Sequence, residues 1–375
     1  MAAFSANDHA HMAHALQLAA RGSHSTAPNP AVGCVLLDAA GQVVGEGWHR
    51  RAGEPHAEVL ALRAAGDRAR GGTAYVTLEP CSHHGRTPPC ADSLVEAGLR
   101  RVVAAAQDPN PRVAGAGLRT LRDAGIETAV SLLEREALAL NRGFVSRMAR
   151  GRPWVTVKLG ASADGRTALA DGSSQWITSP AARGDVQRLR ARASAILTGI
   201  GTVEADDPAL TVRDPALDLG GREPLRVVFD SAGRLRAATR LVQDGKPTLV
   251  FATAPGVLAL RDRLGTQHSN VSIEALTGDT TGRIDLAAAL RRLAELECND
   301  VLVEAGPRLA GSFVTHGLAD EIVLYVAPTL LGDTARPSFA LPQPLRALAD
   351  RPQYSFYEVR QVGPDLRLTL RPAEA

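Results

Sequence analysis

The residues best equipped for chemistry are Pro55-His56-Ala57-Glu58, then Pro80-Cys81, with Cys90 nine positions beyond Cys81. One imidazole and two thiolates form a borderline-soft donor set suited to zinc, and three protein ligands leave the fourth tetrahedral position open. Metal-assisted hydrolysis needs such an opening, because zinc lowers the pKa of water from about 15.7 to about 7. Glu58, beside the metal but not a ligand, is the candidate proton carrier. Two other arrangements stay open on the same residues. Cys34, His49, His83 or His84 could close the coordination sphere, leaving the metal a structural brace, or the cysteines could be core residues without metal.

Positions two apart in a regular helix are separated by about 200°, so His56 and Glu58 converge only at a helix end. Pro55 marks such an end, since proline suits the first helical position, where its missing N–H removes no bond. The metal is therefore expected at a helix start. The generic zinc-deaminase signature pairs His-x-Glu with a later Pro-Cys-x-x-Cys. Here eight residues separate the cysteines instead of two.

Short alternating patterns supply the elements that must position these groups, which points to a layered α/β domain. Helices are expected at 8–21, 56–65, 90–97, 118–124 and 134–148. Strands are expected at 31–37, 42–47, 73–78, 101–106 and 126–130, the first two as a hairpin-like pair around Ala40-Gly41. The basic segment Arg147-Met-Ala-Arg-Gly-Arg-Pro153 reads as a linker, giving domains 1–148 and 149–375. The second is also α/β, with a helix at 181–192 and strands at 154–158, 195–198, 225–230, 248–252, 300–304 and 321–327. The segments 214–223 and 277–282 read as plain connections.

The chain has 375 residues, 45% hydrophobic, enough for two cores. Lys and Arg number 42 against 40 Asp and Glu, so no broad field attracts nucleic acid or an anionic membrane. Four cysteines are too few for a disulfide framework and fit a reducing cytoplasm. The first residues lack a basic segment followed by an apolar stretch, and no apolar run approaches the roughly 18 residues that span a bilayer. A cytoplasmic, non-membrane protein is expected.

In the second half, Gly199-Ile-Gly201 and, in the first, Gly115-Ala-Gly117 begin like a dinucleotide fingerprint, but Glu204 and Thr120 stand where the third glycine belongs. Both are read as turns. Asp300-Val-Leu-Val-Glu304-Ala-Gly306 instead runs an apolar strand into glycine and a helix, where backbone N–H groups can bind phosphate. A strand-to-helix turn without ligand is the equally plain alternative.

Ala27-Pro-Asn-Pro-Ala-Val-Gly33, His56-Ala-Glu58 and Thr77-Leu-Glu-Pro-Cys-Ser-His-His-Gly-Arg-Thr-Pro-Pro-Cys90, extended by Asp108-Pro-Asn-Pro111, closely resemble the bifunctional deaminase/reductase family of riboflavin biosynthesis. Lys158-Leu-Gly-Ala-Ser-Ala-Asp-Gly165, Ser174-Gln-Trp-Ile-Thr-Ser179, Asp206-Asp-Pro-Ala-Leu-Thr-Val-Arg213 and Val303-Glu-Ala-Gly306 look like the family's reductase domain. The resemblance implies a cytidine-deaminase-like three-layer domain followed by a dihydrofolate-reductase-like domain. It also implies zinc-dependent deamination of 2,5-diamino-6-(5-phosphoribosylamino)pyrimidin-4-one, then NADPH-dependent reduction of its ribosyl group to ribityl.

By the matching motifs, the resemblance implies that Asn29 meets the pyrimidine ring and that His49, His83 and Arg86 line the substrate pocket near the phosphate. The expanded loop between the cysteines would help form that pocket. Gly160, Trp176, Thr202, Asp206, Ser231 and Gly306, Pro307, Arg308, Leu309, Ala310, Gly311 and Ser312 would contact NADPH. Ser174, Arg190, Leu210, Arg213 and Glu304 would contact the sugar phosphate. Lys158 and Asp164 would be helpers or supports of a strand end, and Cys34 and Cys298 packing residues or mild redox liabilities. One zinc per chain, a small pyrimidine ribosyl phosphate and a homo-oligomer complete this reading.

Two other functions compete. A deaminase of RNA or DNA bases with a C-terminal binding module would need a basic, aromatic-bearing surface, against the 4% aromatic content. A zinc-stabilised regulator without catalysis would bind a ligand but release no ammonia.

Overall fold

The computed structural model of the chain describes residues 4–82, 89–111, 113–265, 267–279 and 282–373. Its packing divides into two compact units, Met1–Gly151 with Asp218–Arg222 and Arg152–Leu217 with Glu223–Ala375. The connection expected at 214–223 is thus more than a plain loop, since its tip clusters with the first unit.

The first unit runs α1 (Ala6–Ala20), β1 (Gly33–Leu37), β2 (Val43–Trp48), α2 (Ala57–Ala65), β3 (Thr73–Val76), α3 (Cys90–Glu96), β4 (Arg101–Ala104), α4 (Ala116–Asp123), β5 (Glu127–Val130), α5 (Glu134–Leu140) and α6 (Arg142–Arg150). Among the described residues the sheet has the order β2-β1-β3-β4-β5. β1 pairs antiparallel with β2 and β3, and β3, β4 and β5 are parallel. Successive residues of β1 are all buried because both faces are covered. Cys34 and Leu36 join Ala61, Leu94 and Leu121 on one side, while Val35 and Leu37 join Met12, Leu18 and Phe144 on the other. The result is three layers, helix on sheet on helix.

Two glycines set how closely α2 approaches β2. A Cβ on Gly45 would lie 2.2 Å from the Ala61 carbonyl oxygen, and one on Gly47 would lie 2.4 Å from that of Ala57. The single helix expected at 134–148 is broken at Asn141, whose φ is −104°. Its side-chain amide is committed elsewhere: Oδ1 accepts from Ala31 N at 2.8 Å and Nδ2 donates to Ala31 O at 2.9 Å. The break turns α6 so that this clamp can form.

The second unit comprises β6 (Trp154–Ser162), β7 (Arg166–Ala168), α7 (Pro180–Arg192), β8 (Ala195–Gly199), α8 (Ile200–Asp206), β9 (Leu225–Phe229), α9 (Arg240–Gln243), β10 (Thr248–Ala252), α10 (Ala254–Leu264) and β11 (Val271–Ala275). It continues with α11 (Leu286–Glu295), β12 (Asp300–Glu304), α12 (Pro307–Thr315), β13 (Glu321–Ala327), β14 (Arg336–Pro337), β15 (Tyr354–Val362) and β16 (Asp365–Pro372). Among the described residues its large sheet has the order β11-β10-β9-β8-β12-β6-β13-β16-β15, while β7 and β14 form a small ribbon. From β11 to β13 the neighbours are parallel, and β16 and β15 are added antiparallel.

Strand residues alternate between two cores, as period 2 requires. Val301 and Val303 pack with Leu290, Leu293 and Phe313, whereas Leu302 faces Ile196, Leu241 and Leu260. The strand order differs from that of the dinucleotide fold. Among the described residues no helix is long and apolar enough to cross a membrane.

Candidate active site

The metal-type cluster forms at two helix starts. His56 is the N-cap of α2, with φ −72° and ψ 166°. Pro55 therefore precedes the cap instead of opening the helix. The extended backbone at His56, with Glu58 in the first helical turn, lets the two side chains converge despite their spacing. Cys90 opens α3 after Pro89. Cys81 lies in the segment after β3, and its sulfur accepts a hydrogen bond from Cys90 N at 3.3 Å.

The Nδ1 of His56 is 3.3 Å from the Cys90 sulfur and 3.7 Å from that of Cys81. Zn–S of about 2.3 Å and Zn–N of about 2.0–2.1 Å at tetrahedral angles put N and S about 3.5 Å apart, so the donors fit zinc. All three ligand atoms lie within 4.8 Å of one another, and among the described residues the cluster has three members. Cys34 packs in the first unit's core, where burial and the Glu58 charge push its thiol pKa up. It is not in the cluster, and Cys298 is a core residue of the second unit.

Glu58 is 3% exposed, and its Oε2 is buried without a hydrogen-bond partner. Burial raises its pKa to about 7; His56 opposes this and Cys81 adds to it. Hydrogen bonding from Cys90, against burial and with help from His56, lowers the Cys81 thiol to about 4. The Cys81 hydrogen bond and burial push Cys90 upward. The partnerless oxygen beside three metal-type donors is the mark of a missing small polar partner.

Asn29 lies by the same site, its Nδ2 3.1 Å from His49 Nε2. His49 packs beside Asn29. It is 2% exposed, its Nδ1 donates to Pro55 O at 3.3 Å, and burial lowers its pKa. Each ring nitrogen thus has a partner, Nε2 the Asn29 amide and Nδ1 the Pro55 carbonyl. His83 and Arg86 lie outside the described residues. Asn141 was missed in the sequence. Its clamp on Ala31, with the Arg147 donation to Pro28 O at 3.2 Å, holds the Asn29 segment from both ends.

The second unit carries a cleft of about 1860 Å³ at the C-terminal ends of β6, β8, β9 and β12, where parallel α/β sheets bind ligands. Gly160, Trp176, Thr202, Asp206, Ser231 and Gly306 line it, as do Pro307, Arg308, Leu309 and Ser312. Ala310 and Gly311 do not. Ala310 is 0% exposed with its N–H on Gly306 O, and a Cβ on Gly311 would lie 2.2 Å from Ala340 O. These two expected NADPH contacts are turned toward the core.

Ser174, Arg190, Leu210, Arg213 and Glu304 also line the cleft. Arg190 is not a solvated cation: Nε and Nη2 meet the Glu304 carboxylate at 2.6 and 3.0 Å. Lys158, across the β6–β12 register from Glu304, adds an ion pair at 3.2 Å. Burial alone would raise the pKa of Glu304, but Lys158 and Arg190 bring it down to about 2. Asp164 supports a strand end, accepting from Gly332 N at 2.8 Å. Asp279 lines the cleft too, so the segment 277–282 is more than a connection. Trp176 is 67% exposed, with the Arg183 guanidinium 4.4 Å over its ring.

Residues 5–106 match the family model for the cytidine and deoxycytidylate deaminase zinc-binding region, and 153–368 that for the RibD C-terminal domain. The chain is 51% identical over 372 residues to the riboflavin biosynthesis protein RibD of Escherichia coli (strain K12), covering 97% of this chain and 99% of the relative. It is 46% identical over 381 residues to the Haemophilus influenzae protein of that name, covering 99% of each. The structure described as Acinetobacter baumannii RibD, form 1, superposes with a TM-score of 0.89 at 43% identity, covering 98% of this chain and 99% of that one. A Thermotoga maritima structure, described as a diaminohydroxyphosphoribosylaminopyrimidine deaminase/5-amino-6-(5-phosphoribosylamino)uracil reductase, gives 0.85 at 32% identity, covering 98% and 99%.

Proposed function

From the premise that the chain belongs to the RibD family of bifunctional riboflavin biosynthesis enzymes, we propose which of its residues carry each reaction. The protein is a zinc-dependent deaminase with a cytidine-deaminase-like first domain and an NADPH-dependent reductase with a dihydrofolate-reductase-like second domain. The observation that carries the first assignment is the partnerless Glu58 Oε2 beside His56, Cys81 and Cys90.

His56 Nδ1 and the two thiolates would hold zinc. When bound, zinc supplies the Lewis acidity that makes water a competent nucleophile near neutral pH. Glu58 takes a proton from the attacking water and delivers it to the departing amine, so that water enters and ammonia leaves. Asn29, held by His49 and by the clamp on its segment, orients the pyrimidine. His83 and Arg86 belong to the same reading as substrate contacts.

In the second domain NADPH supplies the hydride for C1′ of the sugar, and the protein's task is positioning and exclusion of water. Gly160, Trp176, Thr202, Asp206, Ser231 and Gly306 through Ser312 would hold the cofactor. Ser174, Leu210, Arg213 and the Arg190–Glu304 pair hold the sugar phosphate. The domain boundary at 148/149, a cytoplasmic setting, a homo-oligomer and a free pyrimidine ribosyl phosphate as substrate, instead of a nucleic acid strand, complete the proposal. Sparse cysteines and nearly balanced charge support the setting and the small substrate.

Mass spectrometry of the diaminopyrimidinone ribosyl phosphate incubated with the protein tests both steps. Exchange of an amine for oxygen is expected first, and a gain of two hydrogens once NADPH is added. An unchanged substrate mass with zinc-loaded protein would reject the assignment.

A further inference from the structure

The carboxylate two residues before the Cys81 ligand plays no part in the chemistry above, yet it is among the most heavily used in the first unit. Glu79 is 3% exposed. Its Oε2 accepts from Asp108 N at 3.2 Å and Gly115 N at 3.0 Å, and its Oε1 accepts from Leu118 N at 3.2 Å. Its own backbone N–H donates to Ala106 O at 2.9 Å. The carboxylate thus ties the end of β3 to the segment after β4 and to the first turn of α4. An anion at that turn also meets the positive end of the helix.

A second, independent contact fixes the next residue. A Cβ on Gly117 would lie 1.9 Å from the Pro80 carbonyl oxygen, so the backbone of α4 rests directly on the peptide that leads into Cys81. On the far side, Cys81 O accepts from Ala91 N at 3.1 Å, in the helix that Cys90 opens. Cys81 therefore sits between two rigid supports. His56 and Cys90 each belong to a helix start, whereas Cys81 lies outside any helix or strand and depends on such supports for its place.

The geometry points to Glu79 as a positioning residue for the metal site: its buried carboxylate, by gathering three backbone N–H groups, holds the Cys81 sulfur at ligating distance from the His56 and Cys90 donors. This rests on the zinc reading of those three residues. The side chain touches neither metal nor substrate and acts through the backbone that carries Cys81. Supporting groups of this kind typically change metal affinity about 10- to 100-fold when removed.

Replacing the carboxylate by an amide tests it, because Glu79→Gln keeps the size but sets an NH2 against N–H donors. Zinc affinity is measured on the full-length protein by chelator competition, and the cobalt-substituted form is read by its sulfur-to-metal charge-transfer absorption. Glu79→Gln is expected to bind zinc about 10- to 100-fold more weakly and to show an altered charge-transfer band. NADPH-dependent reduction of the deaminated substrate should be unchanged. Leu121→Ala, a core truncation in the same helix, controls for general loosening and should lower the melting temperature while keeping zinc affinity and the cobalt band. If Glu79→Gln does not accumulate as folded protein, Glu79→Asp, which keeps the charge but shortens its reach, is read the same way. Zinc affinity within twofold of wild type and an unchanged band would overturn the positioning role, as would an equal loss in Leu121→Ala. Failure of the wild type itself to bind zinc would instead remove the zinc reading.

Discussion

In the first unit the polar groups that carry chemistry lie within a few ångströms of one another, Glu58 and Cys90 buried and His56 and Cys81 half-buried, while in the second they are spread along strand ends around a wide cleft. The buried acid differs accordingly. Glu58 keeps an oxygen without a partner and its pKa rises, whereas Glu304 is gripped by two cations and its pKa falls. A carboxylate that must exchange protons is left unsatisfied; one that must stay charged and still is saturated. On the assignment proposed above, the first kind serves hydrolysis at a metal and the second fixes Arg190 and Lys158 in the wall of the cleft.

The contrast is broken most severely by stripping the metal. Dialysis against a strong chelator should take ammonia release to background and lower the melting temperature of the first unit, leaving reduction of the deaminated substrate intact. A chelated protein that still released ammonia would remove the metal from the reaction. Next in size, Glu58→Gln should lower deamination by about 10²- to 10⁴-fold with bound zinc, counted by elemental analysis, still one per chain. Parallel loss of zinc would make Glu58 a ligand and not a proton carrier.

Glu304→Gln probes the saturated carboxylate. It leaves two half-buried cations short of a partner and should cost about 2 kcal/mol in urea unfolding at neutral pH. Because the folded pKa is depressed, the charged form contributes stability above the ordinary value of 4.5, and this is lost as pH falls toward about 2. The gap between wild type and variant should therefore close across that window, and a gap that stayed constant would contradict the ion-pair account. Smallest in stability is Trp176→Ala. At 67% exposure it should change unfolding free energy by less than about 0.5 kcal/mol but raise the KM for NADPH roughly two- to tenfold through lost stacking.

What the sequence made legible follows the same division. His56, Glu58, Cys81 and Cys90 were readable because zinc accepts few donor sets and leaves one position open. Apart from the strand-to-helix turn at Glu304 to Gly306, the cleft residues came only from resemblance, since isolated glycines, serines and a tryptophan have no chemistry that spacing alone reveals. Ala310 and Gly311 differ from their neighbours for a geometric reason: the helix that shows Pro307, Arg308, Leu309 and Ser312 to the cleft turns those two positions toward the core. Pro55 was misplaced by two positions, standing before the cap instead of at the first helical residue, because the extended conformation of His56 depends on what it faces. Asn141 escaped because its partner, Ala31, is 110 residues away and the local pattern is helical throughout.

Gly45 and Gly47 have a consequence for the metal site that lies on the far side of α2. With no side chains between strand and helix, the thickness of β2 is the spacer that fixes how high the start of α2 stands above the sheet. A methyl group at Gly47 would press on the Ala57 carbonyl, next door to His56, and so push on the helix start that carries the imidazole. The seat of one ligand is thus set from a strand that supplies none of the three.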